Sequence, residues 1–501
     1  MRVRSLLLVL AAALAAVATA TPAFAAATET PPATDPVRIA PRIVGGTTVP
    51  AGELAYVAYV LIDDGHGGAN QCGGTVIDPS WILTAAHCTL DLETGAGRPA
   101  SAFEVRTGSR FASSGGIVHT VDAVRRQPMD PALLDKDAAL LHLVHPATVT
   151  PVTMIGSTPD ELTLDDPGVL ATTAGWGLTS ETGDSPVEEL RKVSVPIKPD
   201  GVCNSAYPDD QSSELYPTFY LPANMICASS PGKDSCSGDS GGPLLGPGPG
   251  GSGTRQIGIV SWGLGCARPS FPGVYTRLAT FAPWVRTKTA YGPFVDATGF
   301  IDGSYRDFTN ALPTSAQRSM WQTNLATQPP ESLLSSLAAS STWDLQGGVV
   351  IRLYRAWFQA YPSTSSMSAW LQRRRSGLYL APMSAQFAAN PSRKARYDHL
   401  TNAQFVNQVY VDVLGHAGSA TNAATWKRRL DQGLARSDMM VTFAQSAEFR
   451  ARIAERTRIY GSWFAMVKRM PTLTELAADL GCTQTELLAR LRASLAYAQQ
   501  H

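Results

Sequence analysis

The sequence predicts a two-part fold, an all-β first half followed by an all-α second half, and three observations point there. Up to about Tyr291, short β-branched runs such as TVI, WILT, VLATTAGW and QIGIVSW alternate with clusters of Gly, Pro, Asp and Ser, the pattern of many short strands joined by turns. Beyond it the chain is rich in Ala, Arg, Leu, Gln and Ser at helical spacing. The charge divides in the same region: residues 43–300 hold 15 Lys and Arg against 26 Asp and Glu, whereas residues 301–501 hold 22 against 13. The zero net charge of the whole chain is therefore a cancellation. A length of 501 residues also calls for more than one domain.

The first element is a targeting segment. Arg2 and Arg4 precede an apolar run from Leu6 to about Ala20, followed by AFA at 23–25, which reads as a secretory signal peptide over residues 1–25. No other stretch is apolar for long enough to span a bilayer, so the expected destination is extracellular.

Within the β half, GKDSCSGDSGGP at 232–243 carries the densest chemistry. A serine hydroxyl attacks a carbonyl poorly unless a base removes its proton and fixed N–H dipoles receive the developing charge. Ser240 is the candidate nucleophile, and glycines on both sides leave the N–H groups of Gly238 and Ser240 bare enough to face one oxyanion. The base and its orienting acid lie upstream: TAAHC at 84–88 presents His87 directly after WILT, and DAALL at 137–141 puts Asp137 at the head of an apolar run. Asp135 is a rival for the acid role, but only Asp137 is followed at once by the run that would bury it. His66, His119, His142, His145, His399, His416 and His501 sit in no comparable motif and read as solvated or satisfied structural residues.

Residues 43–285 resemble a trypsin-family serine protease, through RIVGG at 42–46, CGGTVIDPSWILTAAHC at 72–88, DAALLHL at 137–143, AGWG at 174–177, GKDSCSGDSGGP, VSWGLGCA at 260–267 and PGVYTRL at 272–278. The resemblance implies a chymotrypsin-like fold of two packed antiparallel β-barrels with the site in the cleft between them. It implies that Ser240 attacks, His87 moves the proton, Asp137 fixes the imidazole tautomer, and Gly238 and Ser240 form the oxyanion hole. No cofactor or metal enters that chemistry. The loop from Asp91 to Arg110 offers no carboxylate spacing that argues for calcium.

Asp234, six residues before Ser240, matches the family's pocket-floor acid, and Gly263 and Gly273 match its wall glycines. A buried carboxylate below open walls selects Lys or Arg, so the expected substrates are proteins or peptides cut after those residues. Ser261, Trp262 and Gly263 are expected to bind the substrate main chain as an added strand. The resemblance further implies a zymogen: residues 26–42 form a propeptide, the Arg42–Ile43 bond is cut, and the new amino group of Ile43 pairs with Asp239. Arg42 suits the enzyme's own preference, which makes self-activation an expectation. Family positions pair Cys72 with Cys88, Cys203 with Cys227, and Cys236 with Cys266. Cys482 is left over, either as a buried free thiol or as an intermolecular contact.

The α half, residues 291–501 after a protease domain of 43–290, contains a repeat. Tyr354, Trp370, Gly377 and Phe387 recur 56 residues later as Tyr410, Trp426, Gly433 and Phe443. A diverged earlier copy holds Tyr305 and Trp321, and YGSWF at 460–464 echoes YRAWF at 354–358. Each unit reads as a Tyr helix, a polar loop, a Trp helix and a third helix, with the aromatics forming a shared core. FVNQVYVDVLG at 405–415 and TFAQSAEF at 442–449 resemble a helical domain of unknown function common in secreted bacterial proteins, which implies a fold and no mechanism. The basic runs Arg373–Arg375 and Lys427–Arg429 suggest either docking to an anionic cell-wall polymer or to the acidic protease half, or a plain solvated face. LAADLGCTQTELLARL at 476–491 reads as a helical hairpin rather than a DNA reader, because nothing else in this chain speaks for nucleic acid. The competing class is a silent protease-fold scaffold or an adhesin whose helical half does the binding, but all three triad motifs are intact.

Overall fold

The structure, a computed structural model, describes residues 43–91, 94–130, 133–183, 185–208 and 219–501. The expected signal peptide, the propeptide and Arg42 lie outside the described residues.

Among the described residues, fourteen strands precede the helical half. β1 (Thr47–Thr48) is followed by β2 (Val57–Asp63), β3 (Ala69–Asp78), β4 (Trp81–Thr84), β5 (Phe103–Thr107), β6 (Ile117–Arg126) and β7 (Ala139–Leu143). Strands β2 to β7 close into a barrel in the order β2-β3-β4-β7-β6-β5. Every residue of β4 and β7 is buried, so these two strands read as unbroken apolar runs rather than alternating ones. β8 (Thr153–Met154), β9 (Leu170–Gly175), β10 (Arg191–Pro196), β11 (Met225–Ala228), β12 (Pro243–Pro247), β13 (Thr254–Trp262) and β14 (Gly273–Arg277) build the second unit. Its order is β1-β10-β9-β12-β13-β14-β11, with β8 added beside β13. A bridge from Ile197 to Ala228 returns the last strand to the end of β10, so the sheet curls back on itself as the expected second barrel does. Helix α1 (Asp200–Ala206) hangs from β10 and α2 (Leu278–Lys288) follows β14.

After α2 the described chain is helical. The first unit is α3 (Ala297–Thr309), α4 (Ser315–Asn324) and α5 (Glu331–Ala338); the short α6 (Ser341–Trp343) then leads through a wide π turn, Asp344–Gly348, into α7 (Val349–Phe358). α8 (Thr364–Arg375), α9 (Leu380–Ala388) and α10 (Pro391–Tyr397) complete the second unit. The third is α11 (Asn402–Val409), α12 (Ala420–Asp431), α13 (Arg436–Ala444) and α14 (Ala447–Arg452); the last is α15 (Ala454–Val467), α16 (Leu473–Asp479), α17 (Gln484–Arg492) and α18 (Leu495–Ala498). Local sequence sets the starts. Thr314, Thr401, Thr472 and Thr483 each form a capping box with the Gln or Glu three residues on, satisfying helix N–H groups that would otherwise lack partners.

The repeat is visible as repeated geometry. Phe387 meets Tyr354 and Trp370 edge-on at 5.7 and 4.6 Å, and Phe443 meets Tyr410 and Trp426 at 4.9 and 5.5 Å. Gly377 and Gly433 sit at φ of 97° and 98°, where a Cβ is strongly disfavoured. Arg373 covers Trp370 as Arg429 covers Trp426. Much of the basic run is used internally: Arg373 donates to Gln386, Arg374 to the carbonyls of Leu345 and Leu378, and Arg375 to Gln346.

The helical half packs on the outside of the first barrel. Trp81 Nε1 in β4 donates to the carbonyl of Gly292 at 3.1 Å, and His142 Nε2 in β7 lies 3.0 Å from the carbonyl of Pro293. These two side chains are cross-strand neighbours in edge contact. From α17, Arg492 bonds the carbonyl of Ala290 and pairs with Glu331 at 2.8 Å. Among the described residues, no helix is long and apolar enough to cross a membrane.

Candidate active site

β4 delivers His87. The strand ends at Thr84, and Ala85 and Ala86, the latter already in the helical region at φ -69° and ψ -37°, lead into a single 3₁₀ turn, His87–Thr89, which is pinned by the Cys72–Cys88 disulfide. Just ahead of the neighbouring strand β7, Asp137 directly precedes the buried run Ala138–Leu143 and is fully buried. It lies at the centre of a three-residue turn closed by Ala138 N–H donating to the Lys136 carbonyl at 2.8 Å.

Four bonds hold this acid. His87 Nδ1 is 2.7 Å from Asp137 Oδ2, the His87 amide donates to Oδ1 at 2.8 Å, and the Ser261 hydroxyl donates to Oδ2 at 2.5 Å. Thr276 Oγ1 donates to the Asp137 carbonyl at 2.8 Å. Burial works to raise the Asp137 carboxyl, but the facing His87 charge and the bonds from His87 and Ser261 outweigh it and hold the group below 3.8. Burial likewise opposes the His87 imidazolium; the charge and hydrogen bond of Asp137 overcome it and raise the imidazole above 6.5. Asp135 is elsewhere engaged, accepting from Asn224 at 2.6 Å.

Ser240 lies across the junction between the two barrels. Its carbonyl accepts from Gly73 of β3 at 2.7 Å, and Gly241 N–H donates to Val260 of β13 at 2.8 Å. His87 Nε2 and the Ser240 carbonyl flank one sulfur, Cys88 Sγ, at 3.6 and 3.7 Å, so the base and the serine segment converge on the same spot. Gly241 has a φ of 81°, and a Cβ there would fall 2.2 Å from Thr84 Oγ1. Gly238 has a φ of 91°. Among the described residues, the N–H groups of Gly238 and Ser240 make no hydrogen bond.

Asp239 turns the other way, into the second barrel, and is fully buried. It accepts from the amides of Gly177 and Cys236 at 2.8 and 2.9 Å. Burial pushes its carboxyl up to about 7 against those two bonds. The glycines of AGWG make room for it: a Cβ on Gly175 would lie 2.3 Å from Asp239 Oδ1. Ile43 is also fully buried.

Asp234 is 1% exposed, accepting from the amides of Ser235 and Ala267 at 2.9 and 3.0 Å. Burial, with the Asp239 charge adding to it, pushes its carboxyl up to about 7. A Cβ on Gly273 would stand 2.5 Å from Asp234 Oδ1, and one on Gly263 would stand 3.7 Å from the Gly273 Cα. The two wall glycines therefore face each other next to the carboxylate. The Cys236–Cys266 bridge ties the Asp234 segment to that wall, and Cys203–Cys227 anchors α1 to β11. Cys482 is unpaired and half-buried rather than fully buried.

A family model described as Trypsin matches residues 43–285. The vitellin-degrading protease of Bombyx mori is 34% identical over 251 residues, covering 49% of this chain and 84% of that protein. The chain belongs to the trypsin family. Trypsin alpha-4 of Lucilia cuprina, 35% identical over 249 residues, covers 49% of this chain and 86% of its own length. The trypsin of Simulium vittatum is 35% identical over 257 residues, 48% of this chain and 91% of that one. The protease half is thus that of a serine endopeptidase acting on protein substrates. Residues 384–453 match a second model, a domain of unknown function, over a longer stretch than 405–449. Sequence reasoning gives Ser261 only a main-chain role; its hydroxyl bond to Asp137 spans 124 residues, and no spacing rule announces it.

Proposed function

We propose that this chain is a secreted endopeptidase that cleaves after Arg or Lys, with Ser240 as nucleophile. The observation that carries this reading is the bond set that commits His87 Nδ1 to Asp137 Oδ2. With Nδ1–H so committed, Nε2 is the nitrogen free to take the Ser240 proton as Oγ bonds to the scissile carbonyl carbon. The oxygen turned anionic meets the unoccupied amides of Gly238 and Ser240. Collapse returns the proton from Nε2 to the leaving amine and leaves an acyl-serine, which water then opens by the same transfer. The buried carboxylate of Asp234, beside Gly263 and Gly273, supports the preference for a cationic side chain, and the main chain of Ser261, Trp262 and Gly263 borders the same wall.

Activation follows from Asp239. A carboxyl buried with only two amide donors is held near neutral, so the ammonium created by cutting between Arg42 and Ile43 would restore its charge and fix the adjacent Gly238–Ser240 segment. The helical domain, 291–501, joined to the protease domain, 43–290, regulates by docking: it braces the outer wall of the strands that lead to His87 and from Asp137. Hydrolysis of an Arg-containing peptide by the processed full-length protein, silenced in Ser240→Ala and diverted from Arg by Asp234→Ser, tests the reading. No hydrolysis by correctly processed wild-type protein would refute it.

A further inference from the structure

β3 runs beside the segment carrying Gly238 and Ser240 and touches it twice. At Gly73 the main-chain amide donates to the Ser240 carbonyl at 2.7 Å. Two residues earlier, Gln71 Nε2 reaches the carbonyl of Trp176 at 3.2 Å and that of Gly238 at 3.5 Å. The contacts keep step, 71 with 238 and 73 with 240, like two rungs between a strand and a loop.

The Gln71 amide is itself oriented. Tyr59 OH donates to Gln71 Oε1 at 3.1 Å, which turns the nitrogen, the end able to donate, toward the two carbonyls. Tyr59 in β2 pairs with Gly73, and Leu61 with Gln71, so Tyr59 and Gln71 stand on the same face of adjacent strands. The Tyr59 ring meets Trp176 edge-on at 5.6 Å, so both ends of the arrangement rest on the same tryptophan. The fit against the loop is close: a Cβ on Gly238 would lie 2.6 Å from Gln71 Nε2 and 3.1 Å from the Gly177 Cα.

An oxyanion donor acts by already pointing where charge will appear. Gly238, at a positive φ and without a side chain, has the greatest backbone freedom of the residues in that hole, so rotation about its Cα, between the peptide that carries its N–H and the one that carries its carbonyl, is what a restraint on either side would limit. We propose that Gln71, oriented by Tyr59, is a positioning residue that holds the Gly238 carbonyl from the opposite barrel, fixes the peptide joining Gly238 to Asp239, and so limits rotation about the Gly238 Cα that would swing its N–H away from the oxyanion. This rests on the reading of Ser240 as nucleophile and Gly238 as oxyanion donor.

The test uses the processed full-length protein. Gln71→Met keeps the length of the side chain and removes the N–H donors; kcat should fall roughly tenfold, less than the loss for deleting a direct oxyanion donor, with KM nearly unchanged. A peptide aldehyde ending in arginine, whose adduct presents an oxyanion, should weaken by a similar factor, whereas benzamidine, which fills only the Asp234 pocket, should bind as before. Tyr59→Phe should give a smaller loss and add nothing in the Gln71→Met background. An unchanged kcat and aldehyde affinity in Gln71→Met would overturn the inference. So would aldehyde and benzamidine weakening together with a lowered melting temperature, which would mean general loosening. Failure of Ser240 in the processed wild-type protein to take a phosphonate label would instead overturn the underlying reading.

Discussion

Asp234 sets up a measurable proton linkage. Its carboxyl is raised from 3.8 to about 7, chiefly by burial. At about 1.4 kcal/mol per pH unit, keeping it ionised there costs on the order of 4 kcal/mol. The native state holds this proton up to about pH 7, whereas the unfolded chain releases it near 3.8. Raising pH across that window therefore removes stability, and the full penalty stands above it. A guanidinium or amidinium in the pocket needs the ionised form, so binding below about pH 7 must expel the proton. Benzamidine should then bind with constant Kd above about pH 7.5 and about tenfold more weakly for each unit below about 6.5. Calorimetry in two buffers of different ionisation enthalpy, on processed His87→Ala protein so that the imidazole does not titrate, reads both the affinity and the proton released. A flat Kd between about pH 5.5 and 8.5 with no proton release would refute the argument, since it would mean that the carboxylate is already ionised before benzamidine binds.

Other consequences are equally direct. Ser261→Ala removes a donor from the charged Asp137, an interaction of about 1.5–3 kcal/mol; a more basic Asp137 should move the acid limb of the kcat/KM profile to higher pH. Replacing Cys72 and Cys88 together by Ser opens a loop with a sequence separation of 16 and should cost about 3 kcal/mol in chemical denaturation. Phe387→Ala and Phe443→Ala should each destabilise the helical half by about 3–5 kcal/mol, read by the helical circular dichroism transition; very unequal losses would contradict the equivalence of the two units.

The parts of the site that are legible in the sequence are those fixed by local chemistry. His87, Asp137 and Ser240 each stand in a short motif whose neighbours serve a physical purpose. WILT buries the strand before the imidazole, AALLHL buries the strand after the acid, and Gly241 fits where a Cβ would collide. The aromatic repeat is legible for the same reason, because spacing along a helix survives without knowledge of partners. Ser261 and Gln71 are not, since the partner of each lies more than a hundred residues away and depends on how the barrels meet. His142 carries no motif and reads as a structural residue; that it seats the helical half is visible only once the outer wall of β7 is known.

The junction of the halves has a consequence for any attempt to transplant this tail. The carbonyls of Ala290, Gly292 and Pro293 are taken by Arg492, Trp81 and His142 respectively, so the connecting segment is upholstery for the barrel wall rather than a tether. A recipient protease lacking an indole and an imidazole at those two exterior positions would cover bare main-chain oxygens with nothing to satisfy them. Grafting should therefore succeed only when the wall travels with the tail.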